Sequence, residues 1–493
     1  MPGRFCVSFL SLGWVFLATL SVASTPPAIP AFVPSMGAGP PRPVRKLNEA
    51  PPIRVKPVQD GALAPTIMDG TWVEEFPGAA APSAREVPIA IYDPVRDRMV
   101  IFGGYHSGAL GDVWALSLAG SPEWAPITPA GTPPSPKFFT AAIYDPVRDR
   151  VVIFGGYDNA YHLNGDVWAL SLGGSPEWTQ LNPGGDPPSP RIGQAGIYDP
   201  VRDRMVVFGG WDGSYLNDVW ALSLGSSPEW TQLSPSLDSP IDRGLPTAIY
   251  DPVRDRMVIF GGKYDDDTGI EHPLSDVWAL WFGESLVWTE ITPAPGPSAR
   301  LLHTAIYDPA RDRMVVFGGA EGSWPYSYFD DVWALSLSGN PAWTQLTPAG
   351  TPPSPRGYHA SIYDPMRDRM VAFGGWDGSD LNEVWSLLWG VSVGILPQQM
   401  NDRVRLAPAY PNPSRSNIAI GFTVPRASAS TLRIYDVSGR LVKTLVDGAL
   451  TAGPHVVRWD RRFDSGVPAP SGSYVYELRT GSERLARKVV VIN

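Results

Sequence analysis

Cysteine is almost absent from this chain of 493 residues, and the single one, Cys6, lies inside an N-terminal apolar stretch. Arg4, the apolar residues 5–22 and the small residues that end at Ala23 predict a signal peptide over residues 1–23. A retained membrane anchor is the alternative interpretation. Removal of the signal peptide would leave a mature chain without a thiol. Disulfides, cysteine nucleophiles and cysteine-ligated metals are then excluded, so packing alone must hold the exported fold together.

Basic residues and histidine are also scarce. The chain has 39 Lys and Arg against 49 Asp and Glu, a formal net charge of −10, and only 6 His. Nucleic-acid binding needs clustered cations, so this balance argues against a nucleic-acid partner. His303 and His359 occupy equivalent places in two sequence repeats, but the other repeats lack histidine there, which predicts no metal site. No segment of the expected mature chain is long and apolar enough to span a bilayer.

Glycine and proline, in contrast, are abundant at 50 and 54 residues, and they separate short apolar runs, which favours an all-β protein with many turns. The sequence Tyr-Asp-Pro recurs at intervals of 52 to 57 residues, with its tyrosine at Tyr92, Tyr144, Tyr198, Tyr250, Tyr307 and Tyr363. Each repeat continues with an Arg-Asp-Arg turn, a strand ending in Gly-Gly, a variable loop and two strands that each contain a tryptophan. Four short strands per repeat predict one blade of a β-propeller.

The fixed order of Gly-Gly, acid-Val-Trp and a second tryptophan, over residues 71 to about 390, resembles the kelch repeat. The resemblance implies an all-β fold with a six-bladed kelch-like β-propeller over residues 71–397. Glycine suits the paired positions because adjacent backbones approach closely there.

The sixth repeat lacks its second tryptophan, because Ile395 stands ten residues after Trp385. Near the start of the repeats, Trp72 has the same spacing to a following proline and a following basic residue that Trp124 has. Residues 71–76 are therefore predicted to supply the missing fourth strand of the sixth blade and to close the ring non-covalently.

The flanks of the repeats differ from them in composition. Residues 24–70 are rich in proline and alanine and lack alternation, which predicts an unstructured linker. Residues 404–493 contain short alternating strands and turns that predict a small β-sandwich. Their motifs, from Tyr410-Pro-Asn-Pro-Ser414 to the basic-then-apolar end, resemble the Ig-like domain of the flagellar hook-capping group and the sorting domains of type IX secretion cargo. Arg461 stands where these domains usually have glycine. The resemblance implies export or surface attachment through secretion machinery; a stable module without a sorting role is the alternative.

One basic residue precedes each Tyr-Asp-Pro tyrosine by seven positions: Arg85, Lys137, Arg191, Arg243, Arg300 and Arg356. These residues could form a cationic ring at one mouth of the channel and bind an acidic ligand. The alternative is that each pairs with an acid of the repeat, since an unpaired buried charge is costly.

The loops that follow Gly-Gly vary in length and carry aromatic and acidic residues, which makes them the candidate binding surface. The candidates are Tyr105, Tyr157, Trp211, Asp212, Tyr264, Trp324, Trp376 and Asp377. Aromatic faces beside carboxylates suit sugar rings, and structural caps over the blades are the competing explanation. In the longest loop, Asp265, Asp266, Asp267 and Glu271 could bind calcium, or could form a solvated acidic turn.

A uniform scaffold with variable loops predicts a secreted or outer-surface binding protein rather than an enzyme, with no cofactor. The expected ligand is a polysaccharide or an extracellular protein. A structural or adhesive scaffold is the alternative, and a glycan-active enzyme is a third, which would need two carboxylates converging in one cleft.

Overall fold

The computed structural model describes residues 69–78, 80–236, 238–266, 268–323, 325–389, 404–406, 409, 412, 414, 418–424, 426–451, 453–481 and 483–492. The predicted signal peptide and nearly all of the predicted linker lie outside these residues. Every regular element in the described part of the chain is a β-strand. None of the described residues forms a helix that could cross a membrane.

Six four-stranded antiparallel sheets, called blades 1 to 6 below, form the larger part of the described chain. Blade 1 contains β2 (Ile89–Asp93), β3 (Arg98–Phe102), β4 (Val113–Ser117) and β5 (Glu123–Ile127). Blade 2 contains β6 (Ala141–Asp145), β7 (Arg150–Phe154), β8 (Val167–Ser171) and β9 (Glu177–Leu181). Blade 3 contains β10 (Ala195–Asp199), β11 (Arg204–Trp211), β12 (Tyr215–Ser223) and β13 (Trp230–Leu233).

Blades 4 and 5 each carry an additional small hairpin in the loop between their second and third strands. Blade 4 contains β14 (Thr247–Asp251), β15 (Arg256–Phe260), β18 (Val277–Trp281) and β19 (Val287–Glu290), and its hairpin is β16 (Lys263–Asp265) with β17 (Glu271–Pro273). Blade 5 contains β20 (Thr304–Asp308), β21 (Arg313–Phe317), β24 (Val332–Ser336) and β25 (Ala342–Leu346), and its hairpin is β22 (Ala320–Glu321) with β23 (Ser327–Tyr328).

Blade 6 combines strands from both ends of the repeat region. It contains β26 (Ala360–Asp364), β27 (Arg369–Phe373), β28 (Val384–Leu388) and, as its fourth strand, β1 (Thr71–Glu75). β1 pairs antiparallel with β28 along its whole length. The first strand of each blade contacts the first strand of the next, and β26 contacts β2. The blades therefore form a closed ring with their first strands innermost, which confirms the all-β propeller fold. The exact domain limits, 71–397 and 404–493, stay predictions.

The middle strands of a blade are apolar on both faces because each blade lies between two others. On β3, Met99 and Ile101 pack towards blade 6, whereas Val100 and Phe102 pack towards blade 2. Successive side chains of a strand point to opposite faces, so a strand covered on both sides reads as a continuous apolar run. This explains why the second strand of each repeat is apolar without alternation.

The second tryptophan of each blade packs on a phenylalanine of the preceding blade. The ring centroids are 4.9–5.1 Å apart in the pairs Phe102–Trp178, Phe154–Trp230, Phe208–Trp288, Phe260–Trp343, Phe317–Trp72 and Phe373–Trp124. Trp72 of β1 thus occupies in blade 6 the place that Trp124 occupies in blade 1. Aromatic pairs of this kind bury large areas and add to packing beyond that area.

The Tyr-Asp-Pro turns join the blades on one end of the ring, called the turn face. Arg96 donates to Asp93 of its own turn and reaches Asp149 of the next blade with both terminal nitrogens, at 3.1 and 2.7 Å. The same inter-blade pair recurs around the ring at 2.5–2.8 Å: Arg96–Asp149, Arg148–Asp203, Arg202–Asp255, Arg254–Asp312, Arg311–Asp368 and Arg367–Asp97. These turns therefore connect neighbouring blades as well as neighbouring strands.

The C-terminal region is a β-sandwich, as its motifs predict. One sheet contains β29 (Arg405–Leu406), β30 (Ile418–Val424) and β33 (Gly453–Trp459), and the other contains β31 (Ser428–Asp436), β32 (Leu441–Leu450), β34 (Gly472–Thr480) and β35 (Glu483–Val491). Trp459 of the first sheet packs on Tyr474 of the second at 5.0 Å. Arg461 adopts φ 57°, the left-handed conformation for which glycine is the usual residue.

The closure by β1 predicts the effect of removing its tryptophan. Trp72→Ala should lower the free energy of unfolding by about 3 to 5 kcal/mol, because a buried aromatic side chain at a blade interface is lost. Urea denaturation of the full chain measures the change. Trp211→Ala is the control, since Trp211 is partly exposed; equal effects of the two substitutions would contradict a special role for β1.

The inter-blade pairs predict a loss of stability in acid. Hydrogen bonds from Arg254 hold the pKa of Asp312 below its usual range, although burial opposes this. A carboxyl with a lowered folded-state pKa stabilises the fold above its unfolded value of about 3.9, and this contribution is lost as the pH falls through the folded pKa. Asp312→Asn should therefore reduce the difference in urea midpoint between pH 6 and pH 3. Glu123→Gln, at an exposed carboxylate, is the control and should leave that difference unchanged.

Candidate functional site

The end of the ring opposite the turn face carries the loops that follow each Gly-Gly pair and the residues that precede each innermost strand. We call this end the loop face. Gly103 and Gly104 begin its first loop with φ 67° and 100°. A Cβ atom on Gly103 would lie 2.5 Å from the carbonyl oxygen of Lys137 in the next blade. Glycine is required here because the loop of one blade crosses directly over the backbone of another.

The six predicted channel-mouth cations lie beneath the loop face and are buried. Arg85 places its two terminal nitrogens 2.7 and 2.8 Å from the carboxylate oxygens of Asp112, and it also donates to the carbonyl of Gly103. The equivalent ion pairs are Arg85–Asp112, Lys137–Asp166, Arg191–Asp218, Arg243–Asp276, Arg300–Asp331 and Arg356–Glu383. The indole of the first tryptophan of each blade donates to the same acid, as Trp114 does to Asp112.

These contacts correct one interpretation of the six cations. Their side chains are only 0–2% exposed, so they do not form a ring of free charges that could hold an acidic ligand. Each instead forms an internal ion pair, which was the alternative considered. A buried cation without this partner would lose its hydration uncompensated.

At the centre of the loop face is a pocket of about 580 Å³, including its solvent-open part, lined by residues from every blade. Its wall includes Val87, Phe139, Leu245, Leu302 and Tyr358, which precede the innermost strands. These five residues and the equivalent Gly193 all adopt φ between 48° and 62°. Non-glycine residues rarely adopt this left-handed conformation. Its recurrence at equivalent positions of five blades indicates that contacts with neighbouring residues impose it on the backbone.

Backbone hydrogen bonds between these equivalent residues surround the axial pocket. The amide of Val87 donates to the carbonyl of Tyr358 at 2.7 Å, and Tyr358 donates to Leu302 at 3.0 Å. On the other side, Leu245 donates to Gly193 at 2.7 Å and Gly193 to Phe139 at 3.3 Å. These bonds join blade 6 to blade 1, blade 5 to blade 6, blade 3 to blade 4 and blade 2 to blade 3, independently of the sheets.

The two equivalent histidines lie in the wall of this pocket. Nε2 of His303 is 2.8 Å from the hydroxyl of Thr247, and Nε2 of His359 is 2.9 Å from that of Thr304. Burial lowers the pKa of both imidazoles, that of His359 to about 3, with a further contribution from the neighbouring Arg356. Both rings are therefore neutral near pH 7 and link adjacent blades.

An aromatic cluster flanks the pocket over blades 1 and 2. Phe138 lies between Tyr105 at 5.1 Å and Tyr157 at 5.7 Å, and the hydroxyls of Tyr105 and Tyr161 are 3.2 Å apart. Tyr157 is buried, Tyr105 is partly buried and Tyr161 is 42% exposed. Tyr161 also has φ 58°. The cluster presents one exposed ring on a rigid aromatic support.

The remaining loop candidates occupy separate positions on the loop face. Trp211 and Trp376 are partly exposed, and each forms a backbone bridge with the residue that follows the buried basic residue. The same bridge is formed by Lys263 in blade 4, so Tyr264 is one position out of register with the other aromatics. Tyr264 instead stacks on His272 at 5.0 Å.

Two acidic loop candidates accept local hydrogen bonds. Asp212 accepts from the amide of Ser214 at 3.3 Å, and exposed Asp377 accepts from the hydroxyl of Ser354 at 2.8 Å. Trp324 lies outside the described residues. The role of all these residues in binding stays a prediction.

The carboxylates considered for calcium have internal partners. Asp265 accepts a hydrogen bond from Tyr215 at 3.1 Å, and Glu271 pairs with Lys263 and accepts from Tyr326. Asp266 accepts from Thr268 and Ile270 within its own turn. Asp267 is outside the described residues. Among the residues described, no group of three or more His, Cys, Asp or Glu side chains could hold a metal ion.

Sequence reasoning missed a polar group between blades 1 and 6. Glu86 follows Arg85, and the equivalent residues of the other blades are Phe138, Ile192, Gly244, Leu301 and Gly357. Burial, together with the charge of Asp380, raises the pKa of Glu86 to about 8. Asp380 itself lies 2.6 Å from Nδ1 of His106. A protonated carboxyl beside a second carboxylate is a pattern found in glycosidases, but neither Glu86 nor Asp380 lines the axial pocket. Alignment of the six repeats would have shown Glu86 to be the exception.

The repeat region matches a family model described as the KLHDC2/KLHL20/DRC7 Kelch-repeats domain, over residues 62–248 and 226–389. The chain belongs to the kelch-repeat family. The C-terminal sandwich of this kelch protein matches the FlgD Ig-like domain over residues 412–483. Both matches confirm the resemblances found in the sequence.

Curated relatives share the kelch region with this protein. It is 29% identical over 265 residues to host cell factor homolog hcf-1 of Caenorhabditis elegans. This match covers 50% of this chain and 32% of the relative. It is 29% identical over 303 residues to the leucine-zipper-like transcriptional regulator 1 homolog of Drosophila melanogaster. That match covers 57% of this chain and 28% of the relative. It is 33% identical over 270 residues to putative adagio-like protein 2 of Oryza sativa subsp. japonica, covering 51% and 40%. The matches therefore span well under half of each relative.

Two solved structures resemble the kelch protein at low identity. The structure of YjhT has 15% identity and a TM-score of 0.47, covering 67% of this chain and 98% of that chain. A fungal alcohol oxidase of the AA5 family in complex with copper has 14% identity and a TM-score of 0.47, covering 86% and 99%. Likeness at this level carries no inference about activity.

The raised pKa of Glu86 predicts how stability changes above neutral pH. Its folded-state pKa exceeds the unfolded value, so its contribution is complete below about pH 4.5 and is lost as the pH rises through about 8. Glu86→Gln should therefore flatten the decline in urea midpoint between pH 6 and pH 9. Glu321→Gln, at an exposed carboxylate, is the control. The same decline in wild type and Glu86→Gln would show that Glu86 is ionised at neutral pH.

Proposed function

We propose that this kelch protein is a secreted or cell-surface binding protein whose loop face recognises a protein partner. Kelch domains bind proteins, and the repeat region has the kelch fold. The observation that carries the proposal is the axial pocket, to which every blade contributes and part of whose rim is connected by backbone hydrogen bonds. A concave, pre-formed and mainly apolar pocket is the usual receptor for an anchoring side chain at an interface.

The flanking regions support the extracellular part of this proposal. Residues 1–23 have the pattern of a signal peptide, and the FlgD-like sandwich belongs to a group of domains with which export or attachment is associated. In this proposal the sandwich interacts with secretion machinery or holds the protein at the outer surface. The propeller then displays its loop face to the medium.

A polysaccharide ligand is the second candidate, and a specific observation favours it. Tyr161 exposes its ring beside the axial pocket, supported by Phe138 and Tyr157 and linked to Tyr105. Sugar rings stack on such faces while their hydroxyls bond to neighbouring polar groups. Trp211 and Trp376 offer two further partly exposed rings on the same face.

Protein and glycan arrays, screened with the full chain, test the two candidates in parallel. Val87→Phe should narrow the axial pocket without new backbone strain, because the equivalent residues Phe139 and Tyr358 are aromatic at similar φ. We expect this substitution to weaken binding to a partner on the protein array at least about tenfold, the scale of one anchoring contact. Val253→Phe, at a side chain 66% exposed on the turn face, is the matched control and should bind normally.

The glycan array separates the second candidate from the first. Binding that is lost in Tyr161→Ala, or in the double variant Trp211→Ala and Trp376→Ala, would establish a carbohydrate ligand. A protein-array partner that binds wild type and Val87→Phe equally would contradict recognition through the axial pocket. Unchanged melting temperatures of the variants show that a loss of binding is not a loss of fold.

A further inference from the structure

Every Lys and Arg residue of the propeller forms an ion pair within the propeller. Between residues 69 and 389 the sequence has 19 Lys and Arg against 40 Asp and Glu, a formal charge of −21. Each of the 19 cations lies within ion-pair distance of a carboxylate. Eighteen of them belong to two groups that recur in every repeat: the six buried basic residues beneath the loop face and the twelve arginines of the turn face. The remaining one is Lys263.

The loop face is left with carboxylates that no described cation neutralises. Asp242, Glu321, Asp330 and Asp377 are exposed and Asp212 is partly exposed, and none of these five belongs to an ion pair among the described residues. The cations on this face are the six buried basic residues and Lys263, which is also 0% exposed. The exposed or partly exposed histidines of this face, His106, His162 and His272, each lie against an aspartate. A ligand approaching this face therefore meets an excess of negative charge, and that field acts over about 8–10 Å at moderate salt.

The axial pocket at the centre of this face has no formal charge in its wall. Phe139, Tyr358, Leu245 and Leu302 are apolar or aromatic, and the two histidines are neutral near pH 7. The wall also contains three polar but uncharged side chains, Thr140, Gln194 and Thr247. A charged group entering the pocket would lose its hydration without finding a counter-ion. An uncharged apolar side chain gains by leaving water there.

Taken together, the charge-free pocket and its acidic surroundings identify one class of partner. We propose that the loop face binds a cationic polypeptide segment that places one uncharged, apolar side chain in the axial pocket and its Lys or Arg residues near the surrounding carboxylates. This inference rests on the proposed recognition of a protein and specifies the chemistry of that partner. Acidic ligands are repelled, and a neutral glycan can donate hydrogen bonds to the unpaired carboxylates but gains no long-range attraction from them.

Selection from a random peptide library displayed on phage, with the full chain as bait at low salt, tests this proposal. We expect the selected peptides to be enriched in Lys and Arg around one apolar or aromatic residue. Binding of the selected peptides should fall at least about tenfold between 0.05 and 0.5 M NaCl, since salt screens exposed charges.

Two triple variants make the test specific to the loop face. Asp212→Asn, Asp242→Asn and Asp377→Asn together remove three of the five unpaired carboxylates and should clearly reduce the enrichment in cations, and Val87→Phe should abolish the preference for an apolar centre. The control is Glu123→Gln, Glu177→Gln and Glu229→Gln, which removes the same charge from exposed residues at the outer edges of blades 1 to 3. The control should select the same peptides as wild type.

The outcomes distinguish this inference from the proposed function. Selected peptides of neutral or acidic composition, or a cation enrichment that is as strong in the Asp→Asn variant as in wild type, would overturn the inference while leaving protein recognition intact. Failure to enrich any peptide, together with silence of the protein array, would contradict protein recognition itself.

Discussion

The inter-blade Arg–Asp pair of the turn face is the contact on which the ring depends most directly. A propeller closes only if each blade meets the next at the same angle, and no disulfide between blades is available to hold the last of them in place. The first arginine of each turn binds an aspartate of its own turn and an aspartate of the next blade, from Arg96–Asp149 to Arg367–Asp97. The bidentate geometry fixes orientation as well as distance. Phe–Trp contacts repeat the same connection deeper in the interface.

Because the arginines of the repeat pair with acids inside the ring, the surface of the propeller is acidic. The repeat provides arginines in numbers that suit its own ion pairs and leaves the excess acids exposed. Charged residues that recur in the repeats therefore belong to the scaffold, whereas residues that depart from the repeat make up the candidate binding surface. Glu86 and Tyr161 are such departures: Glu86 precedes Val87 of the pocket wall, and Tyr161 packs on Phe138, which contacts Phe139 of the same wall. The loop face is acidic because the arginines of the repeat are paired inside the scaffold and the loops keep the excess acids. The wall of the axial pocket carries no formal charge.

Much of the scaffold was predictable because it is repetitive. The spacing of Trp72 relative to Pro77 identifies it as the equivalent of Trp124, and Trp72 indeed contacts Phe317 as Trp124 contacts Phe373. The aromatic loop residues were predictable only as a group. Counting from Gly-Gly and the backbone pairing both align Lys263 with Trp211, so Tyr264, which the sequence analysis selected for its aromatic ring, lies one position further along the chain. The pairing of Arg85 with Asp112 had remained one of two alternatives, because sequence spacing of 27 residues does not state a distance.

The sequence by itself determined the class of fold, the family, the repeated strands and the identity of the residues that occupy equivalent places, because each repeat encodes the same local contacts. Only the tertiary structure decided which of these residues are buried as internal partners and which line the axial pocket. The six basic residues became internal partners, since folding buried them against acids that lie far away in the chain. Val87, Phe139, Leu245 and Tyr358 became the wall of one pocket because ring closure brings together the starts of all the innermost strands, which no single repeat can specify.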